Sequence, residues 1–180
     1  MMTWEESMLG VMEDLEQQAT GLQLLERDAD VIALAAAEYA HVALAERLHA
    51  SVGRDLRLQL IDGHQLTGQL LRTGEDWLLL AGTTTQHVVR LAALVSVTGL
   101  SERADHTSTW SVLDRLTLRS VLRRLSDDAV ACTLGLVGGH QVRGRLGRVG
   151  LDFVELYAGE DVRSLHVVPF AALVALQEQS

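Results

Sequence analysis

The sequence predicts a mainly β fold with some α structure: two small five-stranded barrels, each preceded by a helix, plus an N-terminal helical arm. Three observations predict it. The chain matches itself at an offset of 76 residues, each copy alternates apolar and polar residues between glycine turns, and apolar residues at helical spacing lead into the copies. Five short strands joined by tight turns favour closure, because a closed barrel hides its edges.

The arm comes first, over residues 1–37. Met8, Leu9, Met12, Leu15, Leu22 and Leu25 form an apolar stripe broken at Gly21, and Glu5, Glu6, Glu13, Asp14 and Glu16 supply an acidic face. The first module spans 38–100. Its leading helix runs from Glu38 to Ala50, with Tyr39, Val42, Leu44 and Leu48 on a loose apolar face. Leu56, Leu58 and Leu60 alternate with Arg57 and Gln59 as a half-buried strand, and Asp62-Gly63 turns it. Leu66, Gly68 and Leu70 continue the period, and Gly68 marks a sharp bend. The turn Thr73-Gly74-Glu75 leads to Trp77–Leu80, His87–Leu91 and Leu94–Val97.

A linker over 101–112, rich in charge, Thr and Ser around Ser101–Thr109, separates the modules. The second module spans 113–180. Leu113, Leu116, Leu118, Val121, Leu122 and Leu125 predict a helix over 110–126. Strands follow at about Ala129–Leu136, His140–Arg148, Leu151–Tyr157, Arg163–Val168 and Ala171–Leu176.

The match between copies is strongest at structural positions. Gly63-His64-Gln65 falls on Gly139-His140-Gln141, Gly68 on Gly144, Arg72 on Arg148, Gly74 on Gly150 and Trp77 on Phe153. After a loop difference it resumes at an offset of 79, His87-Val88-Val89 meeting His166-Val167-Val168 and Ala92–Val95 meeting Ala171–Val174. Trp77 and Phe153 read as plugs of a barrel core or seam. Pro169 stands where the first copy has Arg90, at the join of the last two strands, where a missing N–H is tolerated. Apolar strands near a barrel edge would let the modules pair as an intramolecular pseudo-dimer.

Composition bounds the function. The chain has 180 residues, 48% hydrophobic but only 4% aromatic, so Leu, Val and Ala must build its core. The net charge is −9, and residues 1–50 hold ten acidic against two basic side chains. That sign disfavours sequence-independent nucleic-acid binding. The single cysteine, Cys132, forms no internal disulfide and reads as a buried strand residue. With no basic-then-apolar leader and no long uncharged apolar run, the expectation is a cytoplasmic protein without a membrane partner.

No residue pattern announces chemistry. His64 with His140 and His87 with His166 repeat, but no H-x-x-x-H or paired-cysteine spacing accompanies them, so no metal is expected. Asp76 and Asp152 repeat beside the aromatics and read as turn residues. Neither a nucleophile elbow nor a phosphate-cradling loop is present, so no catalytic residue or cofactor is assigned. The best nucleic-acid candidates are Arg143, Arg145 and Arg148 on one strand, supported by Arg119, Arg123 and Arg124 on the helix before it, and Arg90 in the first copy.

Leu60-x-Asp62-Gly63-x-x-Leu66-x-Gly68-x-Leu70 after a helix resembles the first motif of Sm-like proteins, and Val88–Val97 resembles their second. The likeness covers roughly 40–98 and 113–176, and implies small barrels that assemble in rings and bind RNA. Only Arg90 matches the family's basic position. Gly74 and Gly150 replace its Asp, Leu78 and Val154 its Asn, and Leu91 follows Arg90 where the family has Gly. The whole layout also resembles a group of conserved actinobacterial proteins. The expected function is a non-enzymatic protein-interaction or assembly module, engaging a protein partner or itself; the alternative is a nucleic-acid-binding regulator using the Arg-rich second barrel.

Overall fold

A computed structural model describes residues 33, 34, 36–159 and 164–178. The chain divides into two compact units, 1–42 and 43–180. In the first, residues 36–39 are helical and the Ala40 amide donates to Ala36 O. The arm residues Met8 to Leu25 lie outside the described residues.

The second unit carries the two repeats. Helix α1 (Leu44–His49) precedes β1 (Asp55–Leu60), β2 (Gln65–Thr73), β3 (Trp77–Ala81), β4 (Gln86–Arg90) and β5 (Leu94–Thr98). Helix α2 (Leu118–Asp127) precedes β6 (Ala131–Leu136), β7 (Gln141–Val149), β8 (Phe153–Ala158), β9 (Ser164–Pro169) and β10 (Leu173–Glu178). The duplication extends to hydrogen bonds. Leu60 N donates to His64 O as Leu136 N does to His140 O, and Leu91 N to Asp76 O as Phe170 N does to Asp152 O.

The ten strands form one antiparallel sheet in the order β5-β1-β2-β3-β4-β10-β6-β7-β8-β9. This corrects the expectation of two closed Sm-like barrels and, with it, the resemblance to proteins of that layout. Closure of a module would require its outer strands to meet. Instead, among the described residues, β5 pairs only with β1, while β4 uses its free side for β10 of the other repeat. Pairing between the modules thus occurs, through an open sheet, with Val89 opposite Ala175, Val88 opposite Leu176 and His87 opposite Gln177.

Two apolar clusters lie against this sheet, and each borrows from the other repeat. Leu48, Leu56, Leu58, Leu70, Leu78 and Leu80 of the first repeat enclose Val174 of β10. Leu118, Leu122, Leu134, Leu146 and Leu156 of the second enclose Trp77 of β3, with Leu79 and Val88 packed alongside. The Leu-rich, aromatic-poor composition is realised as an exchange of side chains across the β4·β10 seam.

The helices are shorter than their periodicity predicts. Of the leading helix expected over 38–50, Glu38 and Tyr39 are helical and Leu44–His49 forms α1, with non-helical residues 40–43 between them. The one expected over 110–126 begins at Leu118, because Thr117 is extended and its side chain accepts the Ser120 amide as an N-cap. Before it, Leu113–Arg115 forms a 3-10 turn and Leu113 is exposed. The segment following the first repeat is tied down on α1. Arg47 donates through Nη2 to Ser101 O at 2.7 Å, Glu46 accepts the Thr107 amide at 3.1 Å, and Trp110 stacks on His49 with its Nε1 donating to Asp105 O.

Candidate interaction edges

The sheet ends on β5 at one side and β9 at the other, so each has one strand neighbour among the described residues. Repeat symmetry identifies what each edge lacks. β5 is the counterpart of β10, and β9 the counterpart of β4; β10 and β4 are the two strands joined at the internal seam.

The clearest difference is at Val95 and Val174. In β10 the ladder to β6 passes from Leu173↔Leu136 to Ala175↔Gly135, leaving Val174 as an extra residue. In β5 it passes from Leu94↔Leu60 to Ser96↔Gln59, leaving Val95. Both are β-bulges, which turn an unpaired residue out of the ladder. Val174 is fully buried in the first repeat's cluster, whereas Val95 is 63% exposed. Burial of such a side chain contributes about 2 kcal/mol.

The opposite edge repeats the contrast. Val167 is 56% exposed and Leu165 49%, while Val88, the counterpart of Val167, packs in the second repeat's cluster. Next to it, Trp77 is buried and donates through Nε1 to Leu116 O at 2.8 Å; Glu75 N donates to the same carbonyl, and Asp76 Oδ1 accepts Leu118 N at 2.6 Å. The matching residues of the second repeat, Leu151, Asp152 and Phe153, are exposed, exposed and half-buried. Phe153 is therefore a partly open plug, and Trp77 is a seam residue between repeats.

The repeated glycines support this geometry. Gly63 and Gly139 adopt φ of +88° and +79° in equivalent turns. Gly74 and Gly150 lie beneath the aromatic rings of Trp77 and Phe153, which a Cβ at either position would strike. Gly68 and Gly144 run beside the carbonyls of Ala81 and Tyr157.

The arginines are only partly brought together. Arg143 and Arg145 are exposed at alternate positions of β7. Arg148 makes two bonds to Glu155, at 2.9 and 2.8 Å, which hold that carboxyl below its ordinary range and the guanidinium above its own. Arg119 donates to Gly150 O, Arg124 pairs with Asp128 at 3.4 Å and Arg123 is exposed. Arg90 is in the other repeat, donating to Ala171 O while its buried Nε has no partner.

The histidines do not converge on a metal, and among the described residues no group of three or more His, Cys, Asp or Glu is placed to hold one. His64 pairs with Asp62 at its turn. His87 is on β4 beside an open cleft of about 200 Å³ that crosses the seam, bordered also by Asp62, His64, Thr133, Gln141 and Gln177. Burial there lowers its pKa. Cys132 is buried in β6, and burial raises its thiol pKa to about 12. A second cleft, of about 370 Å³, lies between β2 and α2, lined by Arg72, Thr73, Trp77 and Arg124.

Val95, Leu165 and Val167 are not among the interaction candidates that the sequence singles out. The signal was the alignment of Val95 with Val174, but its meaning depends on which strand β4 selects. No protein-family model and no curated protein matches the chain. No helix among the described residues is long and apolar enough to cross a membrane.

Proposed function

We propose that this chain is a non-enzymatic interaction or assembly protein that engages a protein partner by strand addition at the open edges of its sheet. The observation that carries this reading is the pair of edge strands, β5 and β9, with Val95, Leu165 and Val167 exposed on them. An unpaired edge supplies backbone donors and acceptors, and apolar side chains beside it supply binding energy.

The nucleic-acid alternative has less in its favour. Arg148, Arg124 and Arg119 have partners within the fold, which leaves Arg143, Arg145 and Arg123 against a chain of net charge −9.

Val95→Lys and Val167→Lys place charges on the edges without touching either core. Recovery of bound protein under native conditions is expected to fall in both variants, with circular dichroism unchanged. Unchanged recovery from both would contradict strand addition. Binding that is lost instead on Arg143→Glu with Arg145→Glu, and that falls steeply with salt, would favour nucleic acid.

A further inference from the structure

The internal seam is a template for a contact that the chain has not used at its ends. β4 and β10 meet at one place, yet the duplication supplies each of these strands twice. The unused counterparts are β9 and β5, at opposite ends of the same sheet. A surface joining two unlike strands is heterologous, so a unit carrying one of each at its ends is self-complementary head to tail.

We infer that the occupant of each edge is a second copy of this chain, with β9 of one copy pairing antiparallel with β5 of the next in the register of the internal seam. This rests on the strand-addition reading above and names its partner. Transferring the seam by the repeat offset places Val168 opposite Ser96, Val167 opposite Val97 and His166 opposite Thr98. Val95 then enters the second-repeat cluster of the neighbouring copy, as Val174 enters the first-repeat cluster within the chain.

Three features make a second copy a better fit than an unrelated strand. The bulge that turns Val174 into its neighbour is already formed at Val95, whose side chain is 63% exposed. The side chains that the contact would cover, Val95, Val167 and half-buried Phe153, are those whose counterparts Val174, Val88 and Trp77 are covered at the seam. Pro169 does not obstruct the ladder, because its counterpart Arg90 lies outside the three pairs of β4 with β10. Ala175 is replaced by the polar Ser96 and Leu79 by Glu155, whose charge is met by Arg148.

Cysteine pairing tests both partner and register, since Cys132 is buried and a thiol pKa of about 12 keeps it unreactive. Full-length Val97→Cys and Val167→Cys proteins are mixed under mild oxidation, with Val97→Cys plus Leu165→Cys as the shifted control. The expected result is a covalent dimer in the first mixture at several times the yield of the second. Unsubstituted protein should gain mass with concentration in sedimentation, and Val95→Lys should raise the concentration needed by about tenfold or more. Equal yields, or preference for the shifted pair, would overturn the register. A monomer at all concentrations would overturn self-pairing; if Val95→Lys and Val167→Lys still abolished capture of a different protein, strand addition would survive with a foreign partner.

Discussion

Gly68 and Gly144 occupy equivalent places in β2 and β7 because the next strand passes too close for any side chain. A Cβ would approach Ala81 O to 2.0 Å at the first and Tyr157 O to 2.2 Å at the second. Gly68→Ala and Gly144→Ala should each destabilise the fold by about 1–3 kcal/mol, read as a lower urea midpoint. Thr73 presents the opposite case. Its hydroxyl is buried without a partner beside Trp77, so Thr73→Val removes a desolvated polar group from a strand position that suits Val. That variant should gain about 1 kcal/mol, and a loss of similar size would show that the hydroxyl has a partner in solution.

Among the elements, α1 and β4 make the fold sensitive to acid at separate points. Glu46 on α1 accepts the amides of Ala43 and Thr107, which hold its carboxyl below the ordinary value of 4.5. A lowered carboxyl pKa contributes stability above the unfolded value, and loses it as pH falls through the folded one. Glu46→Gln should therefore cost stability at pH 7 and flatten its decline below about pH 4.5, checked by urea titration at both ends of that range. His87 on β4 is lowered by burial from 6.5, so its neutral form is favoured in the fold. Here stability is full above the unfolded value and declines as pH falls below about 6.5 towards the folded one. His87→Gln should reduce that part of the decline, while a slope unchanged by the substitution would exclude His87 as its source.

The limits of sequence reading are clearest at these elements. The strand sequence in each repeat was legible from period-two alternation and paired glycines, since those features depend on near neighbours. Helix starts were less so. Leu113 and Leu116 continue the apolar spacing of α2, but Thr117 caps the helix and Asp76, distant in sequence, accepts the Leu118 amide. The segment around Ser101–Thr109 looked like a simple linker because its partners Glu46 and Arg47 lie more than fifty residues earlier.

For the whole molecule, the difference between two barrels and one sheet turns on a single choice, the strand that β4 takes as its second neighbour. Val88 and Val89 suit either outcome, so alternation cannot decide it; the seam with β10 does. The edge residues were illegible for the same reason, as Val95 and Val174 look alike until one is buried and the other exposed. Amide hydrogen exchange along β4, β10, β5 and β9, followed as protein concentration rises, tests this account most directly. β4 and β10 should be protected at every concentration, while the outward-facing amides of β5 and β9 exchange quickly when dilute and gain protection as copies pair. If β4 and β10 exchanged as fast as the edges, or β5 and β9 were unaffected by concentration, the seam in the first case and its repetition between copies in the second would be contradicted.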